Sequence, residues 1–370
     1  MRILVVHPRM SVMGGGERVA IHSILAGLKA GHRVSLVSEE FDAENFEDFF
    51  GCEGLFARVD MITYPPFQPF VGKSMLLLYQ RMIHHSTRIR KVLSTRIGFD
   101  LVVGTQDIGY VPNVPVPIIQ YCYFPEYFSH LEARPSSRLW KLYYWPARRF
   151  YRNRVQSVGR FIAVSDYTRD FVMRKWGRDS ETLYPPCPVE TYSSVQAPKE
   201  NIVITVGRIV PEKRMHLFVE LARRLPHYKF LVVGSIGRPT SAYSDSLVRN
   251  APDNVSFVLS PLKKETGLLA KAKVYVHCAQ NEHFGITIVE AMAAGCVPVV
   301  HNSGGPKEIV SDDVGFRWSD LDEAAGQVRR AMEDDELRQS LSRAAVAKSV
   351  SYRPEVFESR LARVYAEYED

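Results

Sequence analysis

Short apolar runs alternate with segments of helical periodicity along the whole chain, and this alternation constrains the fold more than any other feature. The first run, residues 2–7, is followed by three glycines at 14–16, a helical segment over 19–28 and a second apolar run over 32–38. Strands that alternate with helices in this way form parallel sheets, because each helix provides the crossover between strands. We therefore predict an α/β protein.

The alternation is interrupted once, by a proline-rich segment at 184–190. Consecutive prolines are incompatible with a helix interior and a central strand, so this segment predicts a linker. A chain of 370 residues also exceeds one ordinary domain. We predict two Rossmann-like domains, over 1–185 and 190–351, with a cleft between them and ligands at the carboxyl ends of the strands.

The remaining elements follow from periodicity and from helix-start and helix-stop residues. Further strands are predicted at 100–104, 118–124, 160–164, 201–206, 229–233, 254–257, 274–277 and 297–301. Helices are predicted at 165–176, 216–225, 264–272, 286–294, 305–310, 322–333 and 336–349. Ser165 is the expected N-cap of the first of these helices.

The composition excludes several classes of protein. Hydrophobic residues make up 46% and charged residues 24%, an ordinary globular balance. The five cysteines are scattered and never form a C-x-x-C pair, which argues against a disulfide framework or zinc ribbon and favours a reducing, cytoplasmic compartment. We expect neither a signal peptide nor a membrane-spanning segment.

The positive charge is concentrated in one part of the chain. Residues 61–160 contain 14 basic and 4 acidic residues, a net charge of +10. Such a local excess favours an anionic partner, which can be a nucleic acid, a membrane surface or a phosphate-bearing substrate.

The segment 281–295 carries the strongest chemical signal. Gly285 allows a tight turn between a predicted strand and a helix, whose first backbone N–H groups can hold a phosphate. Glu282 precedes the helix, and Glu290 lies one turn inside it. Carboxylates accept well from paired sugar hydroxyls. An isolated acid here would be a helix-start or solvent-facing residue, but the glycine turn and the strand-end position favour a nucleotide-sugar site.

At these residues the chain resembles retaining glycosyltransferase family 4, which has the GT-B fold. Glu282 and Glu290 have the spacing of that family's acid pair. Segments 206–213 and 304–310 resemble its Gly-Arg…Lys signature and its next loop. Within the family, segments 281–285 and 301–307 are similar to GDP-mannose-dependent α-1,2-mannosyltransferases of lipid-linked oligosaccharide assembly.

The resemblance implies a hexosyltransferase with a nucleotide-sugar substrate such as GDP-mannose, no cofactor and no essential metal. The implied catalytic residues are Arg208 and Lys213, which would stabilise the departing diphosphate, and Glu282, which would hold sugar hydroxyls. Glu290 would accept from the ribose. The implied donor-binding residues are Gly15, Gly16, Arg208, Lys213, Glu282, Phe284, Gly285, Ile286, Thr287 and Glu290. Nucleobase contacts are expected from the backbone near 235–238 and 260–262.

One position departs from the family pattern. Tyr123 stands where family members often have a histidine, so no general base is assigned. Retaining transfer by a front-face route needs none, because the leaving phosphate can take the acceptor's proton. The acceptor-side residues are predicted to be Tyr123, His130, Arg148 and Arg149.

Two stretches, 67–96 and 134–154, combine cations with aromatic and aliphatic side chains. This pattern suits an anionic membrane surface. The alternatives are stacking on a nucleic acid, for which no motif is present, and aromatic core faces rimmed by cations. A membrane interface would imply a polyprenyl-phosphate-linked or other glycan acceptor and a peripheral position on the inner face of the membrane.

Two further interpretations stay open. The enzyme could act on a soluble small molecule or polysaccharide. Alternatively, the chain could be a non-catalytic nucleotide-sugar-binding subunit, an interpretation motivated by Tyr123.

Asp320 and Asp322 form a D-x-D pattern, for which an N-cap role is expected rather than a metal site. The resemblance also implies that the terminal helix, 352–370, packs back on the first domain.

Overall fold

The computed structural model describes residues 1–70, 76–96, 98–125, 138–235, 241–259 and 265–369. The chain divides into two compact units. The first unit comprises Met1–Pro186 together with Glu355–Asp370, and the second comprises Cys187–Pro354. Each unit contains one parallel sheet with helical crossovers. The predicted α/β class with two Rossmann-like domains is confirmed.

The first unit has a seven-stranded sheet in the order β3-β2-β1-β4-β5-β6-β7. Its strands are β1 (Arg2–Val6), β2 (Arg33–Glu39), β3 (Asp60–Tyr64), β4 (Leu101–Gly104), β5 (Ile118–Cys122), β6 (Arg160–Ala163) and β7 (Glu181–Thr182). Its helices, apart from one at the end of the chain, are α1 (Gly15–Lys29), α2 (Ala43–Phe50), α3 (Leu77–Thr95), α4 (Arg138–Ser157) and α5 (Asp166–Trp176). The order reverses between β1 and β4, where ligands of such sheets bind at the carboxyl ends.

The second unit has a six-stranded sheet in the order β10-β9-β8-β11-β12-β13. Its strands are β8 (Glu200–Val206), β9 (Lys229–Gly234), β10 (Val255–Leu259), β11 (Ala272–His277), β12 (Val297–His301) and β13 (Phe316–Trp318). Its helices are α6 (Val189–Ser193), α7 (Met215–Arg224), α8 (Ser241–Arg249), α9 (Glu265–Lys271), α10 (Ile286–Ala293), α11 (Pro306–Ile309), α12 (Leu321–Glu333) and α13 (Asp335–Ser349). Here the strand order reverses between β8 and β11.

Burial on both faces of the central strands explains their continuous apolar sequence. In β1, Ile3, Leu4 and Val5 are fully buried, and all five residues of β12 are buried. Parallel sheets covered by helices on both faces need such strands, because neither face meets water. The edge strand β3 instead alternates between exposed and buried positions, which is why the sequence analysis did not identify it.

Local capping predictions hold. The Ser165 hydroxyl accepts from the Thr168 backbone N–H at 3.1 Å and caps α5. Asp320 accepts from the backbone N–H groups of Asp322 and Glu323, so the D-x-D pattern begins α12. The linker prediction needs one correction: α6 begins at Val189, because the proline run ends one residue earlier and no longer blocks helical hydrogen bonding.

Two further observations bear on the classes considered above. None of the described helices combines the length and the apolar character that crossing a bilayer requires. All five cysteines are free thiols.

The last helix, α14 (Pro354–Ala366), packs on α1. The Glu358 carboxylate lies 2.7 Å from His22 Nδ1 and also forms an ion pair with Lys29. The Tyr365 hydroxyl donates to the Ser23 carbonyl at 3.2 Å. Glu358 and Tyr365 are both buried, so the terminal helix contributes to the core of the first unit.

Glu358→Gln tests the contribution of this helix to stability. Burial raises the pKa of Glu358, but hydrogen bonds from His22 and Lys29 outweigh it and lower the pKa below the ordinary value. A lowered carboxyl pKa stabilises the fold above the unfolded-state pKa, and that contribution is lost as the pH falls through the folded-state value. We expect Glu358→Gln to lower the free energy of unfolding at neutral pH by about 1–3 kcal/mol.

Urea unfolding at neutral and acidic pH measures this effect. The difference from the parent should shrink as the pH falls below the ordinary carboxyl value of 4.5. Glu355→Gln, an exposed position on the same helix, is the matched control and should change little. A pH-independent loss in Glu358→Gln would contradict the assignment.

Candidate functional site

The reversal of strand order in the second unit brings two distant loops to one edge of the sheet. The loop after β8 contains Arg208 and Lys213, and the loop after β11 contains Glu282. The Lys213 ammonium forms an ion pair with the Glu282 carboxylate across a separation of 69 residues. Their side chains are 28% and 20% exposed, so the pair is accessible to a ligand without being fully solvated.

Glu282 is held in its ionised form. Burial alone would raise its pKa, but the charge of Lys213, the neighbouring His277 and the hydrogen bond from Lys213 lower it to about 2. His277 Nε2 lies 3.8 Å from the same carboxylate oxygen. Burial lowers the pKa of His277 to about 4. At neutral pH this histidine is therefore uncharged, and the lysine alone neutralises the carboxylate.

The glycine pair that follows β12 packs against the backbone of the Glu282 loop. The Gly305 N–H donates to the Glu282 carbonyl at 2.8 Å. A Cβ atom at Gly304 would lie 2.3 Å from the Glu282 carbonyl oxygen, and one at Gly305 would lie 2.4 Å from that of His283. Any larger residue would displace the loop that carries Glu282. The pair therefore supports the acid through close backbone packing.

The start of α10 supplies backbone groups to the same edge. Gly285 has a φ of 102°, a conformation that favours glycine, and the helix begins at the next residue. The Thr287 hydroxyl lies 2.8 Å from the Tyr275 hydroxyl. The Phe284 ring is buried against Tyr352. The side chains of Phe284 and Thr287 thus have internal partners, and the first-turn amides at Ile286 and Thr287 are the groups that suit an anion.

Both predicted acids lie near the same tyrosine. Burial is the main cause of the raised pKa of Tyr275, and the charges of Glu290 and Glu282 raise it further. Glu290 is buried within α10, whereas Glu282 stands in the loop before it. The two carboxylates therefore act electrostatically on the Tyr275 hydroxyl from different turns of the chain.

Arg208 is placed differently from Lys213. Its side chain is exposed and has no hydrogen-bond or ion-pair partner within the part of the chain that the structure describes. Of the predicted catalytic residues, the structure joins Lys213 and Glu282 directly and leaves Arg208 as an uncommitted cation on the same loop.

In the first unit, a buried polar network holds the glycine loop. His7 Nδ1 lies 2.8 Å from the Thr105 hydroxyl, and Nε2 lies 3.2 Å from the Glu17 carboxylate. Glu17 in turn accepts from the Gly14 N–H at 2.7 Å. Burial raises the pKa of Glu17, but His7 and Gly14 outweigh it and lower the pKa below the ordinary value. The sequence analysis missed this network, although Glu17 stands at the capping-box spacing from Gly14.

Tyr123 also helps to hold the glycine loop in position. Its hydroxyl donates to the Gly16 carbonyl at 3.1 Å, and its ring contacts Tyr121. Burial raises the pKa of Tyr123 well above the ordinary value, so its hydroxyl stays protonated. A protonated donor bound to a backbone carbonyl is a positioning group, and it is poorly suited to act as a base.

Several predicted residues fall elsewhere. His130 lies outside the described residues, as do most of the predicted nucleobase segments, 236–238 and 260–262. Arg148 and Arg149 are exposed on α4.

Tyr123→Phe separates a positioning role from a base role. Loss of one hydrogen bond to the glycine loop should lower stability by about 1 kcal/mol. We expect turnover to fall by less than about tenfold, since loss of a general base costs about 10²–10⁴-fold. The pH–rate profile should keep its shape. Tyr121→Phe, which removes a 2.8 Å bond to the Leu183 carbonyl, is the matched control. A loss above a hundredfold in Tyr123→Phe alone would contradict the positioning role.

Two family models match the chain, one over each part. Residues 13–191 match "Glycosyltransferase Family 4", and residues 191–348 match "Glycosyl transferases group 1". The two matches meet at residue 191, within α6.

The curated relatives include mannosyltransferases of eukaryotes. The chain is 26% identical to the GDP-Man:Man(3)GlcNAc(2)-PP-Dol alpha-1,2-mannosyltransferase of Dictyostelium discoideum, over 88% of this chain and 76% of the relative. It is 24% identical to the human protein of the same name, over 81% of this chain and 72% of the relative.

Solved structures share the fold. Anabaena HepE, solved with UDP and glucose, superposes with a TM-score of 0.74 at 18% identity, covering 99% of this chain and 100% of that one. WaaG, a glycosyltransferase involved in lipopolysaccharide biosynthesis, superposes with a TM-score of 0.72 at 16% identity, covering 98% and 99%.

Proposed function

We propose that this chain, which belongs to glycosyltransferase family 4 and is a hexosyltransferase of the GT-B fold, transfers mannose from GDP-mannose. The transfer proceeds with retention of configuration, to a glycan carried on a polyprenyl phosphate. The observation that carries the proposal is the Lys213–Glu282 pair at the carboxyl ends of β8 and β11. The similarity to GDP-mannose-dependent relatives supports the choice of donor.

The cations of the loop after β8 suit a diphosphate. Lys213 is shared with Glu282 before the donor binds, whereas Arg208 has no side-chain partner among the described residues. When the sugar–phosphate bond breaks, negative charge accumulates on the leaving nucleoside diphosphate. Preorganised cations stabilise that charge more than they stabilise the intact donor, and this difference accelerates the reaction. The first-turn amides of α10 add neutral donors.

The acids suit the hydroxyl groups of the donor. Glu282 stays ionised because Lys213 neutralises it, so it can accept from two sugar hydroxyls at once. Glu290, deeper in α10, would accept from the ribose. In a front-face reaction the leaving phosphate takes the acceptor's proton. The protonated, hydrogen-bonded state of Tyr123 supports a route without a protein base.

Lys213→Met tests the diphosphate role. We expect transfer and slow donor hydrolysis to fall by about 10²-fold or more, as when one preorganised donor is removed from a developing charge. Without the lysine, burial raises the pKa of Glu282, so the variant's residual activity should also decline on the acid side of its pH–rate profile. The parent should show no such decline above pH 4, because the pKa of Glu282 is about 2.

Lys271→Met, an exposed lysine paired with Glu200 on the same unit, is the control and should behave like the parent. Unchanged turnover in a correctly folded Lys213→Met would remove the assignment.

A panel of GDP-, UDP- and ADP-sugars in a thermal-shift assay tests which donor the enzyme binds, since binding raises apparent stability by mass action. The non-catalytic alternative requires binding without any transfer or hydrolysis.

A membrane-facing role is supported by the outer face of α4. Leu142 and Trp145 are 72% and 63% exposed, and Lys141, Arg148 and Arg149 are exposed beside them. Exposed aromatic and aliphatic groups among cations suit the headgroup region of an anionic bilayer. This face supports the proposal that the enzyme binds peripherally to an anionic membrane surface, which we propose is the inner face of the membrane.

The opposite face of the same helix belongs to the core. Tyr144 and Tyr151 are buried in the first unit. Arg154 is also buried and donates to the Asn113 side chain at 2.7 Å, so it is not available to lipid. Over residues 141–154, one face of α4 therefore belongs to the core as predicted, and the opposite, exposed face is the one that suits a membrane surface.

Leu142→Ser/Trp145→Ser tests the membrane role. We expect reduced flotation with anionic vesicles, because the apolar contacts that enter the headgroup region are removed. Binding of the parent should also weaken as salt rises, since each cation near the surface contributes about 1 kcal/mol. Val248→Ser, an exposed apolar residue of the second unit, is the control. Parent protein that does not float at moderate salt would favour the soluble-acceptor alternative.

A further inference from the structure

The first unit holds a cavity of about 300 Å³ at its own reversal of strand order. It is lined by residues that follow β1, β4 and β5, and it adjoins Gly16 and Tyr123 of the glycine-loop support. Ligands of parallel sheets bind at this position. The arginines in its lining, Arg9 and Arg81, have no role among the residues assigned so far.

Two arginines give the cavity a cationic wall. Arg9 follows β1, and Arg81 lies on α3. Neither forms an ion pair with any carboxylate in the described ranges. Arg81 stacks over the Phe67 ring at 5.6 Å, which orients its guanidinium but does not neutralise it. The Glu39 carboxylate lies within electrostatic reach of both arginines, but this one acid faces the guanidinium groups of Arg9, Arg81 and Arg88. The excess of positive charge favours an anion.

The acid in the lining is committed to other groups. Asp107 accepts from the Tyr151 hydroxyl at 2.7 and 2.9 Å and from the Gly109 N–H at 2.6 Å. The carboxylate oxygens of Asp107 therefore already accept hydrogen bonds from groups of the protein. The two arginines are left to face the cavity.

Arg9 is also held in place by the protein. Its backbone N–H donates to Gln106 Oε1 at 3.0 Å, and Gln106 Nε2 donates back to the Arg9 carbonyl at 3.4 Å. This double contact ties the segment after β1 to the segment after β4. The Arg9 side chain therefore extends from a fixed backbone, and its guanidinium can bind phosphate oxygens with two parallel N–H groups.

A metal ion is a poor occupant of this region. Glu39, His84 and His85 have ligand atoms within 4.8 Å of one another. However, Arg9, Arg81 and Arg88 all act electrostatically on Glu39 and His85. Three neighbouring guanidinium charges would repel a divalent cation and attract an anion.

The volume limits the ligand. Ligand pockets typically measure about 300–1,000 Å³, so this cavity is at the small end and suits one sugar ring with an adjoining phosphate. We propose that it binds the acceptor through a phosphate or diphosphate held by Arg9 and Arg81, with the sugar that receives the hexose directly next to that group. This inference rests on the proposed function and specifies its acceptor.

The cavity differs in its lining from the predicted acceptor site, and in the acceptor that it suits from the acceptor of the relatives. Arg148 and Arg149, predicted on the acceptor side, do not line the cavity. The relatives' printed acceptor, Man(3)GlcNAc(2)-PP-Dol, separates its mannoses from the diphosphate by two N-acetylglucosamines. The cavity instead favours an acceptor with a single sugar on the diphosphate.

The binding test uses pyrophosphate as the probe, with the enzyme saturated with GDP so that the donor site is filled. Titration calorimetry should show pyrophosphate binding to the parent and at least tenfold weaker binding to Arg9→Gln/Arg81→Gln. Arg148→Gln/Arg149→Gln is the matched pair and should bind like the parent. Equal binding by parent and Arg9→Gln/Arg81→Gln, or loss in the Arg148/Arg149 pair alone, would overturn the proposal.

A second arm tests the length of the glycan on the acceptor. Transfer is compared between N-acetylglucosamine on a short prenyl diphosphate and the same lipid carrying a pentasaccharide. We expect a higher kcat/KM for the single sugar, and a raised KM with little change in kcat for Arg9→Lys/Arg81→Lys. Preference for the pentasaccharide would overturn the inference.

Slow hydrolysis of GDP-mannose keeps the two proposals distinguishable. It should persist in Arg9→Gln/Arg81→Gln, which also confirms that the variant folds. If hydrolysis is absent from the parent, the proposed function fails rather than the acceptor site.

Discussion

The reversal of strand order within each parallel sheet is the constraint on which both sites depend. Parallel strands end at the same edge, and at the reversal the flanking crossovers run in opposite directions, which leaves room for a ligand between the loops. In the second unit this geometry joins Lys213 to Glu282, 69 residues apart. In the first it joins His7 to Thr105, 98 residues apart. Neither pair could form on a sheet whose strands followed one another in sequence order.

Close backbone packing then fixes the position of these loops, and neighbouring groups stabilise the charges that they carry. Gly304 and Gly305 lie so near the Glu282 loop that no side chain fits at either position. A buried carboxylate in such a loop would be unstable by itself, because removal from water penalises its charge. Lys213 offsets that penalty and keeps Glu282 ionised. The same principle operates around Glu17, where His7 and the Gly14 amide hold the carboxylate and, through it, the glycine loop.

Tyr123, which stands where the family often has a histidine, has a structural role in the first unit. Tyr123 donates a hydrogen bond to Gly16, and its raised pKa keeps the hydroxyl protonated, so its contribution is to the shape of the first unit's ligand-facing edge. The charged groups suited to the leaving diphosphate belong to the second unit. The cations suited to an acceptor phosphate, Arg9 and Arg81, belong to the first. Each unit therefore carries cations that suit an anionic ligand.

The sequence by itself determined what depends on neighbouring residues. Periodicity identified the parallel α/β units, and short-range capping identified Ser165 and Asp320, because those hydrogen bonds span only a few residues. The resemblance to glycosyltransferase family 4 also pointed to the segments that contain Lys213 and Glu282. Only the tertiary structure decided which side chains meet: that Lys213, and not Arg208, pairs with Glu282, and that Arg9 and Arg81, and not Arg148 and Arg149, line the cavity. Such pairings depend on strand order and on which helix face is buried, and one sequence carries no local signal for either.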